Sequence, residues 1–173
     1  MTGLAIDVRG LVKRYGTRTV VDQVGLQIAP GRICGFLGPN GSGKTTTLRM
    51  ICGLLTPDAG EGTVLGEDII TGRDAIKRQT GYMTQRFGLY EDLTIRENLE
   101  FVAQVYGIDH PARQVGEALA RLGLESRQHQ LTGSLSGGWK QRLALAACVL
   151  HTPKILLLDE PTAGVDPKAR RSF

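Results

Sequence analysis

Three stretches of this sequence hold residues able to do chemistry on an anion. The first, GPNGSGKT from Gly38 to Thr45, fits the phosphate-loop pattern G-x-x-x-x-G-K-[ST] in full. Gly38, Gly41 and Gly43 let the backbone wrap a β-phosphate, with Pro39, Asn40 and Ser42 completing the loop. Amides from Ser42 through Thr46 open a helix and face its N-terminus, where anions bind. Lys44 can bridge β- and γ-phosphates as a point charge, and Thr45 can offer its hydroxyl to Mg²⁺. The second stretch, ILLLDEPT, sets Asp159 and Glu160 at the end of an apolar run. Asp159 can hold the metal shell while Glu160 polarises an attacking water. The third, LSGGWKQRL, puts Ser136, Gly137 and Gly138 before a helix-forming run. It makes an anion site without a metal ligand, suited to a ligand held mostly elsewhere.

Elements that could position these residues follow from periodicity. Residues 4–9 and 20–28 alternate apolar and polar, predicting antiparallel strands at an edge. RICGFLG, after the Pro30–Gly31 turn, is almost continuously apolar and predicts a strand covered on both faces, as does KILLLDE. Lys44–Leu55 is expected to be helical, followed by a short strand over GTVLG. Thr94 and Glu97 form a capping box before a helix whose apolar face is Ile95, Leu99, Val102 and Tyr106. A second helix repeats the pattern through Val115, Leu119 and Leu122, and Gly123 can stop it. The expected fold is α/β: a P-loop core with a mixed sheet, an N-terminal antiparallel β subdomain and an inserted α-helical subdomain. The whole of 1–173 forms one domain in this reading, with the helical part at 87–140.

Composition narrows the classes. With 173 residues, 41% hydrophobic and 22% charged, the chain matches an ordinary globular domain. No apolar run approaches the length of a membrane span, and the early Asp7 argues against a secretory signal. The net charge of +4 is scattered rather than gathered in a patch, so no specific nucleic acid is expected. Cys34, Cys52 and Cys148 are far apart in apolar stretches and are expected to be buried free thiols.

Taken in order, the P-loop, YMTQ, LSGGWKQR, LLLDEPT and AGVDP resemble the nucleotide-binding subunit of ATP-binding cassette (ABC) proteins over nearly the whole chain. The resemblance implies that ATP and Mg²⁺ bind, with Gln85 of YMTQ reaching the metal and water, and that ATP is hydrolysed with Glu160, Gln85 and Lys44 as the catalytic set. It implies that Tyr15 stacks on adenine. It also implies that Ser136, Gly137 and Gly138 contact ATP held by a second copy in a head-to-tail dimer whose interface Asp166 crosses. A transmembrane permease is implied as partner, meeting the segment RFGLYEDLT, with the chain cytoplasmic on the inner face of the membrane. YMTQRFGLYEDLTIRENLEF most resembles subunits that drive export of drugs or other hydrophobic cargo.

Trp139 stands where the best-known signature has Gln, so that side chain's hydrogen bonds are lost. The family's H-loop histidine is matched by none of His110, His129 or His151, and the helix that Asp166 and Pro167 would start stops at Phe173. A fragment or truncated frame is therefore expected, with hydrolysis by these residues alone in question. Two other readings stand beside the transporter: a non-transport ABC ATPase acting on ribosomes or nucleic acid, and a nucleotide-binding module without turnover.

Overall fold

The computed structural model describes residues 3–85 and 88–161. Asp166 therefore lies outside the described residues. The fold is mixed α/β, as expected, and divides into two compact units between Thr80 and Gly81.

The first unit is built on a four-stranded sheet of order β2-β1-β3-β4. β1 (Ile6–Tyr15) and β2 (Arg18–Ile28) form an antiparallel hairpin closed at Tyr15 and Arg18, confirming the alternation and extending it. Ile6 and Val8 face the core, but a shift in register between Val8 and Leu11 then turns both Leu11 and Val12 inward. An extra residue at such a bulge resets which face each side chain takes. β3 (Ala59–Val64) lies against β1 so closely that a Cβ on Gly62 would stand 2.1 Å from the Asp7 carbonyl. Only glycine fits there. Leu65 and Gly66, both at positive φ, make the two-residue turn into β4 (Glu67–Asp68).

α1 (Lys44–Ile51) packs on β1 and β2 through buried Thr47, Met50 and Ile51. Gly53, at φ 74°, ends it, as a left-handed residue after a helix commonly does. The connection onward is pinned to β1: Lys13 Nζ donates to Asp58 at 2.7 Å and to the Thr56 carbonyl at 2.9 Å. α2 (Arg73–Gln79) follows, its Arg73 side chain donating to the Gly53 carbonyl at 3.0 Å.

Two expectations are corrected here. Residues 32–38 form no strand; Ile33 is fully exposed and Leu37 is 93% exposed. An apolar run becomes a buried strand only with ladder partners, and no described residue supplies one. Cys34 belongs to this segment and is exposed rather than buried.

The second unit pairs β5 (Thr80–Met83) with β6 (Ile155–Leu158), and its helices occupy the sequence between them. β6 alternates half-buried and exposed residues, so it is covered on one face rather than the two expected. α3 (Ile95–Val105) starts with the predicted box: Glu97 N donates to Thr94 Oγ1 at 3.2 Å and Thr94 N to Glu97 Oε2 at 2.8 Å. α4 (Pro111–Arg121) has Pro at its first position and Gly123, at φ 66°, past its end. α5 (Gly137–Val149) completes the set.

Ile95, Leu99, Val115, Leu119, Leu124 and Leu143 form one buried core among these helices. Each such side chain contributes roughly 1.5–3 kcal/mol through burial. Ala103 joins that core, whereas Tyr106 is 41% exposed and stacks on His151 with ring centres 3.9 Å apart.

Candidate functional site

The phosphate loop is shaped by what its last glycine touches. Gly43 caps α1 at φ 87°, and a Cβ there would stand 2.5 Å from the Val20 carbonyl. β2 therefore forces a glycine at this position and fixes where the helix begins. Gly41 also takes positive φ, and Ser42 N reaches back to the Pro39 carbonyl at 3.3 Å. Thr47 N and Oγ1 both donate to the Gly43 carbonyl, tying the loop to the first turn.

Lys44 Nζ donates to the Gly38 and Pro39 carbonyls, each at 2.8 Å. The ammonium thus lies across the loop, which can exchange those carbonyls for phosphate oxygens. Pro39, Asn40, Gly41 and Ser42 are exposed, while Lys44, Thr45 and Thr46 are half-buried. Helix geometry aims the first-turn amides out of the N-terminus, and α1 has no acidic residue there to oppose an anion. Tyr15, at the hairpin end, is 52% exposed and so has a ring face available for stacking.

In the second unit the ends of β5 and β6 gather three of the expected residues. Asp159 is buried; its N–H donates to the Met83 carbonyl at 3.0 Å, and Tyr82 Oη donates to its Oδ2 at 3.2 Å. Gln85 Nε2 donates to Glu160 Oε2 at 2.9 Å. Glu160 takes φ 52°, unusual for a residue with a side chain and a form of strain that collects at functional positions. Tyr82 was not among the expected residues. Its role follows from the pairing of β5 with β6, which brings together residues 77 apart and leaves no local signal.

Ser136 is the N-cap of α5 and is exposed, and its hydroxyl makes no capping bond. Gly137 is exposed and Gly138 half-buried at the first positions of the helix. Trp139 turns into the helical core and carries the guanidinium groups of Arg127 and Arg142 at 4.8 and 5.1 Å from its ring centre. Its side chain therefore serves the packing of α5.

A phosphate loop, a strand-end Asp-Glu pair and a capless serine-glycine helix start are joined by a family profile, that of the ABC transporter, matching residues 21–163. The chain belongs to the ABC transporter family.

YbhF of Escherichia coli strain K12, a probable multidrug ABC transporter ATP-binding protein, is 44% identical over 172 residues. That match covers 97% of this chain and 29% of YbhF. The bacitracin transport ATP-binding protein BcrA of Bacillus licheniformis is 42% identical, over 94% of this chain and 53% of its own length. The Nod factor export ATP-binding protein I of Burkholderia pseudomallei strain 1710b is 41% identical, over 98% and 57%. This ABC chain thus spans between 29% and 57% of these relatives. A solved structure described as the ATP binding subunit of an ABC transporter is similar at TM-score 0.83 and 30% identity, over 97% of this chain and 71% of that one.

Proposed function

We propose that this ABC domain binds and hydrolyses ATP, and that two copies close head-to-tail on two nucleotides to drive a separate membrane permease. The observation that carries the hydrolytic part is the Gln85–Glu160 hydrogen bond at the ends of β5 and β6. A carboxylate held by an amide is oriented to take a proton from water, and the strained backbone of Glu160 fixes it further. Lys44 and the loop from Gly38 to Thr46 grip the triphosphate, and Tyr15 stacks on the base.

Thr45, Asp159 and the amide oxygen of Gln85 are hard oxygen donors of the kind Mg²⁺ takes alongside phosphates. A bound Mg²⁺ would neutralise charge developing on the phosphate oxygens. Tyr82 holds the Asp159 carboxylate in place for that role.

Ser136, Gly137 and Gly138 act in trans, donating to the γ-phosphate gripped by the other copy, and Asp166 crosses the same interface. Residues 1–173 act as one ATPase domain, with 87–140 as its helical part. The relatives' names cover multidrug transport, bacitracin transport and Nod factor export, and they support a role in exporting drugs or other hydrophobic cargo. No helix among the described residues is long and apolar enough to cross a membrane. The chain works at the inner face of the membrane through its permease, as the ABC transporter family membership supports.

Phosphate release by the intact protein tests the reading. Glu160→Gln should bind ATP normally and lose turnover by about 10²-fold or more, the usual scale for a general base. Lys44→Ala should lose nucleotide affinity itself. Undiminished phosphate release in Glu160→Gln would overturn the assignment.

A further inference from the structure

Asn98 is fully buried on α3, yet both ends of its amide are hydrogen-bonded. Its Oδ1 accepts from Tyr90 N at 2.9 Å. Its Nδ2 stands 2.9 Å from the Tyr90 carbonyl, 3.0 Å from the Thr94 carbonyl and 3.0 Å from Thr132 Oγ1. One amide thus joins three pieces of chain: the segment after Gln85, the start of α3 and the turn that leads to Ser136. An aspartate would bring a buried charge, and an apolar residue would orphan the Tyr90 N–H.

Backbone bonds extend the same seam. Thr132 N donates to the Leu93 carbonyl at 2.9 Å, Gly133 N to the Glu91 carbonyl at 2.8 Å and Ile95 N to the Gln130 carbonyl at 3.1 Å. Glu91 also pairs with Lys140 in the first turn of α5. Thr132–Ser134 form a single 3-10 turn, after which the chain buries Leu135 in the helical core and emerges at Ser136. The opposite end of the seam is open to solvent. The Tyr90 ring is 51% exposed and meets Phe101 edge-on at 5.1 Å.

We propose that Asn98 is a positioning residue that registers Ser136 against the exposed Tyr90–Leu93 segment, so that displacement of that segment is delivered to the signature serine. The proposal rests on the head-to-tail reading for what Ser136 then does. The register itself is a property of this unit alone. A seam of satisfied hydrogen bonds gathered on a buried amide moves as one piece rather than yielding along its length.

The test uses the intact protein in a Glu160→Gln background, with Asn98→Ala and Thr132→Val compared to the parent. Thr132→Val keeps shape and the backbone bond and removes only the hydroxyl that meets Asn98. Trp139 is the only tryptophan, so its emission reports the first turn of α5 directly. Both variants should bind ATP as monomers within about twofold of the parent. ATP-driven dimerisation should weaken by about tenfold or more in Asn98→Ala, and by less in Thr132→Val, as expected for one or two lost buried hydrogen bonds. Trp139 emission should shift in both. Unchanged emission and dimerisation in Thr132→Val overturn the proposal, even where Asn98→Ala fails to fold. A parent that forms no dimer with ATP counts against the head-to-tail reading, and the emission arm then decides the Asn98 register by itself.

Discussion

Gly43 meets the Val20 carbonyl so closely that no side chain can be added, and its φ of 87° disfavours one in any case. Gly43→Ala should therefore destabilise the protein by at least about 1–2 kcal/mol, the cost of a left-handed residue before any clash is counted. Urea unfolding measures it, and an unchanged midpoint would show that β2 does not set the loop. The thiols divide in the same physical way. Cys34 is exposed, while burial pushes the Cys52 thiol up to about 11 and the Cys148 thiol up to about 12. Iodoacetamide at pH 8 should label Cys34 in the native protein and reach Cys52 and Cys148 only after denaturation, because the thiolate is the reactive form. Cys148 is half-buried rather than buried as expected, and native labelling of it at the rate of Cys34 would contradict its raised thiol.

At the level of strands and helices, capping and electrostatics give separate handles. Thr94→Ala removes half of the capping box on α3 and should cost about 1 kcal/mol by thermal or urea unfolding. No loss would mean that tertiary packing alone holds that helix start. Asp58 is held below the usual aspartate range by the Lys13 ammonium and the Arg14 N–H. A carboxyl lowered on folding contributes stability that is present above its unfolded pKa and is lost as pH falls through its folded one. Stability should therefore decline in acid below the ordinary aspartate range, and Asp58→Asn should flatten part of that decline; an identical acid limb would discount the contact. The starts of α1, α3, α4 and α5 were readable in the sequence because caps, periodicity and glycine spacing are local signals, whereas α2 was not expected and α1 ends at Ile51 rather than Leu55. The strand expected over residues 32–38 was misread for the opposite reason, since apolar character does not supply a ladder partner. The bulge in β1, the Tyr82–Asp159 bond and the Asn98–Thr132 bond all depend on residues far apart in the chain, and no local pattern announces them.

For the molecule as a whole, the candidate residues fall in both units. The phosphate-loop motif lies in the first, and the Gln85–Glu160 pair and the start of α5 lie in the second. Ser136 has a hydroxyl with no capping duty and two glycines behind it. That combination suits a phosphate carried in by a second copy, and thiol cross-linking measures it most directly. In an intact Cys34→Ser, Glu160→Gln protein, one preparation would carry Ser42→Cys and the other Ser136→Cys. Mixed and treated with a short thiol-to-thiol spacer, the two should yield an intermolecular product that rises with ATP. Ser136→Cys should also lose reactivity toward soluble thiol reagents when ATP is added. No cross-linked product, with Ser136→Cys equally reactive with and without ATP, would contradict the head-to-tail arrangement.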